Sequence, residues 1–204
     1  YDALITFHQD HQAELTMATI RVPMEEASRF GIVNYGEDYR VQSFIEKPAK
    51  PTSNQINMGV YLFNTGLLDR VLLEDRQRPG SSHDFGKDVL PQLIKEGRRV
   101  FAFPFSGYWV DVGTVSSYWQ AHMDLLVDKP PIDLNDRTWI IHTRTEERPP
   151  VRVSRDATIV DSMLTDGTVV EAGAQVMRSV LSAGVRVEAG AVVRESIILT
   201  DTVI

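Results

Sequence analysis

Apolar residues recur in the first 127 positions with two periods, one typical of strands and the other of helices. Residues 1–12 carry Leu4, Ile5 and Phe7 among polar residues, which predicts a short amphipathic helix. Strands are predicted at 14–22, 30–35, 40–45, 58–63 (a buried strand), 100–105 and 108–111. Further helices are predicted at 65–74, 84–97 and 113–127. Strands separated by helices predict a mostly parallel, helix-covered α/β sheet with residues 30–45 as an antiparallel hairpin.

The pattern changes in the last third of the chain. Residues 128–150 hold two Pro-Pro pairs and scattered charges, which predicts a linker. Residues 167–181 then reappear as residues 184–198, offset by 17. Short valine-rich segments with Gly or Ala between them, at a repeat near three sixes, are typical of a hexapeptide β-helix. We therefore expect a domain at 1–127 and a left-handed β-helix at 151–204 that serves assembly rather than chemistry.

Both ends of the chain predict that the sequence is a fragment. It opens on Tyr1, in what the pattern treats as the middle of a domain, and it closes on the apolar pair Val203-Ile204. Each coil of a β-helix needs neighbours to bury its inner row, so we expect further residues beyond Ile204.

Charge and composition limit the partners that the chain can have. The 204 residues carry a net charge of −7, which argues against a broad nucleic-acid surface and requires a local site for any anion. The chain contains no cysteine, which excludes disulfides and thiolate metal sites and is compatible with a reducing cytoplasm. No apolar run approaches the length of a membrane span, and no signal-peptide pattern occurs. We therefore expect a cytoplasmic protein that acts on small molecules.

The pair Glu46-Lys47 is the main candidate for chemistry, because it follows a predicted strand directly. Pro48 is expected to end that strand and to hold Lys47 in an extended conformation. A carboxylate accepts hydrogen bonds from sugar hydroxyls, and an ammonium is a compact charge for a phosphate. An isolated Glu-Lys pair is more often a solvated loop pair, so the surroundings decide. Ligands of such sheets lie at the carboxyl ends of strands, where Asp111 is also expected.

Other conspicuous residues are expected to have structural roles. Asp84 is expected to cap the helix that follows it. His8 and His11 have a spacing that can bind metal on a helix, but no third ligand is in view, so a solvated helical face is favoured. The aromatic residues expected in the core are Trp109, Tyr118 and Trp119.

Several motifs occur in an order that covers essentially the whole chain. They are Arg29-Phe30-Gly31-Ile32, Phe44-Ile45-Glu46-Lys47-Pro48, Asn57-Met58-Gly59-Val60-Tyr61-Leu62-Phe63, Ser81-Ser82-His83-Asp84-Phe85-Gly86-Lys87-Asp88, Tyr108-Trp109-Val110-Asp111-Val112-Gly113-Thr114 and Tyr118-Trp119. With these motifs the chain resembles the glucose-1-phosphate adenylyltransferase family of sugar-phosphate nucleotidyltransferases. The Ser-Ser-His-Asp-Phe-Gly-Lys-Asp and Trp-x-Asp-Val-Gly-Thr runs are specific to that family, whereas Glu-Lys-Pro is shared across many sugar nucleotidyltransferases. The fold implied is the C-terminal part of a Rossmann-like nucleotidyltransferase domain followed by the left-handed β-helix.

The resemblance also implies roles for particular residues. It implies that Glu46 and Lys47 bind glucose 1-phosphate, with Gly31 near the ligand. Asn57 stands where the family usually has a ligand-contacting serine, and its amide can still hydrogen-bond a hydroxyl. Asp111 matches the family's second metal-binding aspartate, which implies a catalytic residue that binds Mg²⁺.

The implied reaction transfers AMP from ATP to glucose 1-phosphate and yields ADP-glucose and pyrophosphate for glycogen- or starch-type synthesis. The family's glycine-rich loop, Gly-Gly-x-Gly-x-Arg-Leu, and its Gly-Asp metal ligand do not occur in the sequence. Because phosphoryl transfer depends on positioning and electrostatics from both halves of a site, the chain alone is expected to be inactive. The resemblance further implies a homo-oligomer, a tetramer, under allosteric control.

The sequence also bears on three alternative functions: an acyltransferase, a regulatory subunit and a nucleotidyltransferase with other substrates. Hexapeptide acyltransferases share the β-helix but generally need a histidine as general base. The five histidines of the chain all precede residue 151, which excludes that function. A non-catalytic regulatory subunit that senses sugar phosphates stays open, because Asn57 and Val110 depart from the family pattern. A nucleotidyltransferase that uses another nucleotide or sugar stays open as well.

Overall fold

The computed structural model describes residues 1–143 and 146–204. Its contacts divide the chain into two compact units, Tyr1–Gly107 and Tyr108–Ile204. The predicted linker at 128–150 includes residues 144 and 145, which lie outside the described residues. The expected domain limits at 127 and 151 therefore stay predictions.

The first unit is built around one five-stranded sheet. In chain order its elements are α1 (Asp2–Asp10), β1 (Leu15–Arg21), a 3₁₀ turn (Ala27–Arg29), β2 (Ile32–Tyr35), β3 (Val41–Ile45), β4 (Gln55–Phe63), α2 (Thr65–Arg76), a π-helical turn (Phe85–Val89), α3 (Leu90–Lys95) and β5 (Val100–Pro104). The strand order across the sheet is β3-β2-β4-β1-β5. These elements confirm the strands and helices predicted in this part of the chain to within a few residues.

The sheet is mostly antiparallel, so the prediction of a mostly parallel sheet is wrong. Among the described strands of this sheet, β1 and β5 form the single parallel pair, and the other three pairings are antiparallel. The connection between β2 and β3 is a hairpin turn, which is too short for the crossover that parallel neighbours need. The segment between β1 and β5 contains three strands and two helices, which supply such a crossover.

The core of this unit lies between the sheet and the helices α2 and α3. Its fully buried members include Leu15 and Met17 of β1, Leu90 and Leu93 of α3, and Val100 of β5. Burying side chains of this size stabilises the unit by about 1.5–3 kcal/mol each relative to leaving them in water. The core therefore fixes the faces of β1 and β5 and the packing of α3 on the sheet.

Strand β4 is less buried than its sequence predicts. Its first two residues are buried, whereas the stretch from Asn57 to Phe63 is half-buried or exposed. Strand β2 pairs in register with β4 at Ile32 and Ile56, near the start of β4. Beyond Ile56, the strand has β1 as its neighbour on one side. This open edge carries the residues of the candidate site.

The histidine face predicted on α1 is not solvated at His8. That side chain is 8% exposed, and its Nδ1 lies 2.8 Å from Thr16 Oγ1. Its Nε2 lies 3.2 Å from Asn64 Oδ1. Because both ring nitrogens have partners on neighbouring elements, His8 helps to pack α1 on the sheet. His11 stacks on Phe7 with ring centroids 3.9 Å apart.

The second unit begins with an irregular segment at 108–113, so the strand predicted at 108–111 is not formed in this described part of the chain. The helix predicted at 113–127 is confirmed as α4 (Val115–Met123) with a 3₁₀ turn (Asp124–Leu126). Thr114 caps α4 in a capping box with Ser117. No helix in the described residues has both the length and the apolar character needed to cross a membrane.

The C-terminal part of this unit consists of nine short strands in three parallel sheets. In chain order the strands are β6 (Arg152–Val153), β7 (Thr158–Val160), β8 (Met163–Leu164), β9 (Val169–Val170), β10 (Gln175–Met177), β11 (Val180–Leu181), β12 (Arg186–Val187), β13 (Val192–Arg194) and β14 (Ile197–Ile198). The sheet orders are β13-β10-β7, β14-β11-β8 and β12-β9-β6, so each coil adds one strand to every sheet. Parallel stacking of this kind forms the predicted β-helix.

The 17-residue repeat sets the register of the β-helix. Val170 pairs with Val187, and Val176 pairs with Val193. All four side chains are at most 4% exposed, which confirms that they line the inner rows. At one corner, the Ser179 N–H donates to Ser162 Oγ at 3.1 Å, and the same bond recurs one coil later. The repeat therefore fixes both the core and the corners.

Candidate functional site

Four residues predicted to bind a sugar phosphate lie together on the first unit. Glu46 and Lys47 follow β3, Gly31 precedes β2, and Asn57 lies in β4. The Lys47 N–H donates to the Phe30 carbonyl at 3.2 Å, and the Asn57 N–H donates to the Gly31 carbonyl at 2.8 Å. These two bonds bring three chain segments to one point at the open edge of β4.

The backbone of Lys47 differs from the prediction. Its φ is +44°, in the left-handed region, rather than extended. The chain turns away from the sheet at this residue while its N–H stays bonded to the Phe30 carbonyl, and this tertiary bond overrides the local preference set by Pro48. Lys47 Nζ lies 3.8 Å from Glu46 Oε1, with the lysine side chain 64% exposed and the glutamate 21%. The ammonium is thus open to a phosphate, while the carboxylate is more enclosed.

Two glycines enclose the Glu46 carboxylate. A Cβ atom placed on Gly31 would lie 2.8 Å from Glu46 Oε2, and one on Gly86 would lie 2.5 Å from the same oxygen. A side chain at Gly86 would require the carboxylate to move, and one at Gly31 would require the Phe44 ring to move as well. Gly86 was not predicted as a site residue, although a glycine inside a helical segment is unfavourable enough to indicate a special packing role.

Tyr61 also belongs to this cluster, and sequence analysis did not single it out. The Asn57 Nδ2–H donates to the Tyr61 hydroxyl at 2.6 Å, and Asn57 Oδ1 accepts from the Gly59 N–H at 3.1 Å. The Tyr61 ring is stacked with that of Phe85, with centroids 5.9 Å apart and an angle of 15° between planes. The side chain of Asn57 therefore holds the Tyr61 hydroxyl in place.

The electrostatic surroundings keep the Tyr61 hydroxyl protonated. Burial raises the pKa of Tyr61 above its ordinary value of 10.0, and the hydrogen bond from Asn57 opposes this effect. The negative charges of Glu46 and Asp84 raise the pKa further. A neutral hydroxyl near two carboxylates can donate to an acceptor on a ligand.

Residues of the Ser-Ser-His-Asp motif form a polar network with Asp75 and Asp88. Asp75 accepts from Ser81 Oγ at 2.8 Å and lies 2.8 Å from His83 Nδ1. These hydrogen bonds hold the pKa of Asp75 below its ordinary range, and the one from His83 has the larger effect. Asp88 accepts from Ser82 Oγ at 2.5 Å. The network fixes the loop that leads into the π-helical turn.

Asp84 has the capping role predicted for it. Its Oδ1 accepts from the Lys87 N–H at 2.9 Å at the start of the π-helical turn. The cap positions the turn in which Gly86 contacts Glu46. Asp84 therefore helps to fix the turn that places Gly86 beside the Glu46 carboxylate.

Asp111 lies in the second unit, in the irregular segment between β5 and α4. Its side chain is half-buried, and a Cβ on Gly113 would lie 3.1 Å from its Oδ2. No group of three metal-ligating side chains occurs within residues 1–143 and 146–204. A single carboxylate beside a glycine still fits Mg²⁺, a hard cation that keeps several waters and takes phosphate oxygens in addition to one or two carboxylates.

Two family models match the chain. Residues 1–127 match the family model described as nucleotidyl transferase. The chain belongs to the nucleotidyl transferase family. Residues 149–204 also match a model described as the GlmU-like C-terminal hexapeptide. The resemblance found in the sequence motifs and the expected fold class are thereby confirmed.

Similar curated proteins carry one name. The chain is 49% identical over 171 residues to a glucose-1-phosphate adenylyltransferase of Geobacillus stearothermophilus, and the aligned part covers 84% of this chain and 44% of that protein. It is 48% identical over 170 residues to one of Desulforamulus reducens, covering 83% and 43%. It is 45% identical over 171 residues to one of Bacillus mycoides, covering 84% and 46%. The chain thus spans less than half the length of these relatives.

Proposed function

We propose that this chain supplies the sugar-phosphate site of a glucose-1-phosphate adenylyltransferase. The proposed reaction transfers AMP from ATP to glucose 1-phosphate and releases pyrophosphate. The supporting observation is the pair of an enclosed carboxylate, Glu46, and an exposed ammonium, Lys47, on one turn. The carboxylate is suited to sugar hydroxyls and the ammonium to the phosphate. The shared name of the similar proteins supports the same substrate.

The neighbouring residues complete the proposed sugar site. Gly31 and Gly86 leave room for the Glu46 carboxylate, since a Cβ on either glycine would lie within 3 Å of its Oε2. The Tyr61 hydroxyl, held by Asn57, is a donor for a sugar oxygen. Asn57 uses one of its two amide hydrogens on Tyr61, so the second can donate to a substrate hydroxyl. We therefore include Asn57 among the substrate-binding residues.

We assign Asp111 to a divalent metal. Nucleotidyltransferases of this family generally use one, and we propose that it is Mg²⁺. When bound, such an ion neutralises charge on the phosphate oxygens during transfer. The contribution of this chain is a carboxylate whose position is set by the segment at 108–113. We also propose a homo-oligomer, a tetramer, in which the β-helix takes part in assembly.

The test of the sugar site replaces Lys47 by alanine in the full-length protein. Losing a charged hydrogen bond of about 1.5–3 kcal/mol should raise KM for glucose 1-phosphate about 10- to 150-fold while KM for ATP changes little. Steady-state kinetics with each substrate varied in turn measure this difference. Lys50→Ala is the matched control, because Lys50 is exposed in the same loop.

The outcomes separate the proposed enzyme from its alternatives. An equal rise in both KM values would assign Lys47 to folding or to another role. A wild-type protein that binds glucose 1-phosphate but makes no ADP-glucose would favour the regulatory subunit. Turnover that is faster with another nucleotide or sugar phosphate would favour a related nucleotidyltransferase.

A further inference from the structure

The segment that carries Asp111 is tied to α4 at both of its ends. At the first end, the Tyr108 hydroxyl donates to Asp124 Oδ2 at 2.8 Å, just beyond the C-terminus of α4. At the second end, Thr114 Oγ1 accepts from the Ser117 N–H at 3.1 Å, and Ser117 Oγ accepts from the Thr114 N–H at 3.1 Å. Residues 108–113 therefore form a loop whose ends are fixed to opposite ends of one helix.

The hydroxyl of Tyr108 stays protonated, and can therefore donate its hydrogen bond, over a wide pH range. Burial first, and then the hydrogen bond to Asp124, raise the pKa of Tyr108 to about 12. The raised pKa means that the bond contributes stability at every pH below about 10, the ordinary tyrosine value, and loses it as the pH rises toward 12. The tie is therefore intact over the whole range in which the protein would work.

Helix α4 is bonded in turn to the β-helix. The Trp119 Nε1–H donates to the Glu195 carbonyl at 2.7 Å. Glu195 is a corner residue with a φ of +45°, and its own N–H donates to the Met177 carbonyl at 3.0 Å. The next N–H, that of Ser196, donates to Ser179 Oγ at 3.1 Å. The acceptor of Trp119 is thus part of the regular corner stack of the β-helix.

Trp119 is half-buried, so it is not the core residue that its sequence predicts. An indole has one donor and no acceptor, so the bond to Glu195 uses its whole hydrogen-bonding capacity. A large aromatic side chain that is neither fully buried nor free to hydrogen-bond elsewhere is well suited to fix one element against another. Trp119 therefore connects two elements: α4, which holds the loop that carries Asp111, and the β-helix.

We propose that Tyr108 and Trp119 are positioning residues for Asp111, so that the β-helix sets the location of this carboxylate through α4. The inference rests on the proposed function of Asp111. It gives the β-helix a role in the reaction, in addition to the role in assembly expected from the sequence. Glu46 and Lys47 belong to the other compact unit, so the proposed sugar and metal residues are held by separate parts of the fold.

The first experiment measures the loop itself, independently of activity. Trp119→Phe keeps a ring and removes the indole N–H, and Tyr108→Phe removes only the hydroxyl. Hydrogen exchange of peptides covering residues 108–114 in the full-length protein should accelerate about tenfold in each variant, as expected for the loss of one hydrogen bond. Peptides covering residues 41–63 should exchange as in wild type. Trp139→Phe is the matched control, because Trp139 is 60% exposed in the same unit.

The second experiment measures what the loop does. Misplacing a carboxylate should lower kcat about 10- to 100-fold in Trp119→Phe and in Tyr108→Phe. KM for glucose 1-phosphate should stay within about twofold, since only the metal side is disturbed. Calorimetric titration with Mg²⁺ in the presence of ATP should show weaker binding in both variants than in Trp139→Phe.

Unchanged exchange at 108–114 in both variants would overturn the proposal, because the two bonds would then not hold the loop. Faster exchange with unchanged kcat and Mg²⁺ binding would overturn it as well, because the loop would then not position Asp111. Asp111→Asn separates this from the proposed function. If Asp111→Asn keeps wild-type activity, the metal role falls and the inference with it, whatever the exchange data show about the two ties.

Discussion

The Glu46 carboxylate lies beside two glycines, Gly31 and Gly86, that leave no room for a Cβ atom. Gly31 belongs to the segment before β2, and Gly86 to the turn before α3, so the contact joins parts of the chain 55 residues apart in sequence. Both glycines approach the same carboxylate oxygen. A carboxylate enclosed in this way loses little further freedom when it accepts hydrogen bonds from a ligand.

Gly86→Ala tests this enclosure. The added methyl group would lie 2.5 Å from Glu46 Oε2, so the carboxylate must move and KM for glucose 1-phosphate should rise about tenfold or more. Gly66→Ala is the control, because a Cβ on Gly66, in the first turn of α2, meets no atom within 4 Å. That control should leave KM unchanged and stabilise the protein by up to about 1 kcal/mol through helix propensity. Equal KM values in the two variants would show that Gly86 does not set the site.

Sequence reasoning found part of this cluster and missed the rest for physical reasons. Glu46 and Lys47 directly follow a strand that periodicity predicts, whereas Gly31 and Asn57 were assigned to the site through the family resemblance. Tyr61 joins them through the hydrogen bond from Asn57, four residues away on the same strand. Gly86 joins them through packing between distant segments, which the pattern around Glu46 does not encode. The left-handed backbone of Lys47 was missed for the same reason, since the Phe30 carbonyl that holds it lies on another strand end.

At the scale of elements, the sequence predicted every strand of the first unit but not the direction of neighbouring strands, and it predicted a strand at 108–111 that is not formed. The alternation of apolar and polar residues indicates which face of a strand is buried. Whether two neighbouring strands are parallel or antiparallel depends on which strands pair and on how they are connected. The β-helix was predicted more completely, because its 17-residue repeat determines the register together with the inner rows. A repeat carries tertiary information that a single amphipathic segment does not.

The inner rows of the β-helix make a sharp prediction. Val187 is fully buried, so Val187→Asp should unfold the β-helix, because an unpaired buried charge costs several kcal/mol in so thin a core. Val169→Asp is the matched control on the same sheet. Val169 faces outward and pairs in register with Arg152 and Arg186, so an aspartate there meets two cations. Thermal unfolding followed by circular dichroism should show a lost or lowered transition only in Val187→Asp, and two equal transitions would contradict the inner-row assignment.

At the scale of the whole molecule, the three outer faces of the β-helix differ in chemistry. One face presents the column Arg152, Val169 and Arg186, and a second presents Thr158, Gln175 and Val192. The third presents Met163, Val180 and Ile197, which are all apolar and half-exposed. A stacked apolar column on a β-helix is a surface that proteins usually cover, and we expect a second copy of the chain to cover it in the proposed oligomer.

Val180→Asp tests this assembly face in the full-length protein. Its side chain points away from the core, opposite to the fully buried Leu181, so the substitution should leave the β-helix folded. Placed between two copies, however, the charge would be buried without a partner, and the sedimentation coefficient should fall toward that of the monomer. Gln175→Asp adds the same charge to the neighbouring outer face of the same coil and should sediment as wild type. If Val180→Asp and Gln175→Asp sediment as the same oligomer, the apolar column is not the interface, and assembly through this face is wrong.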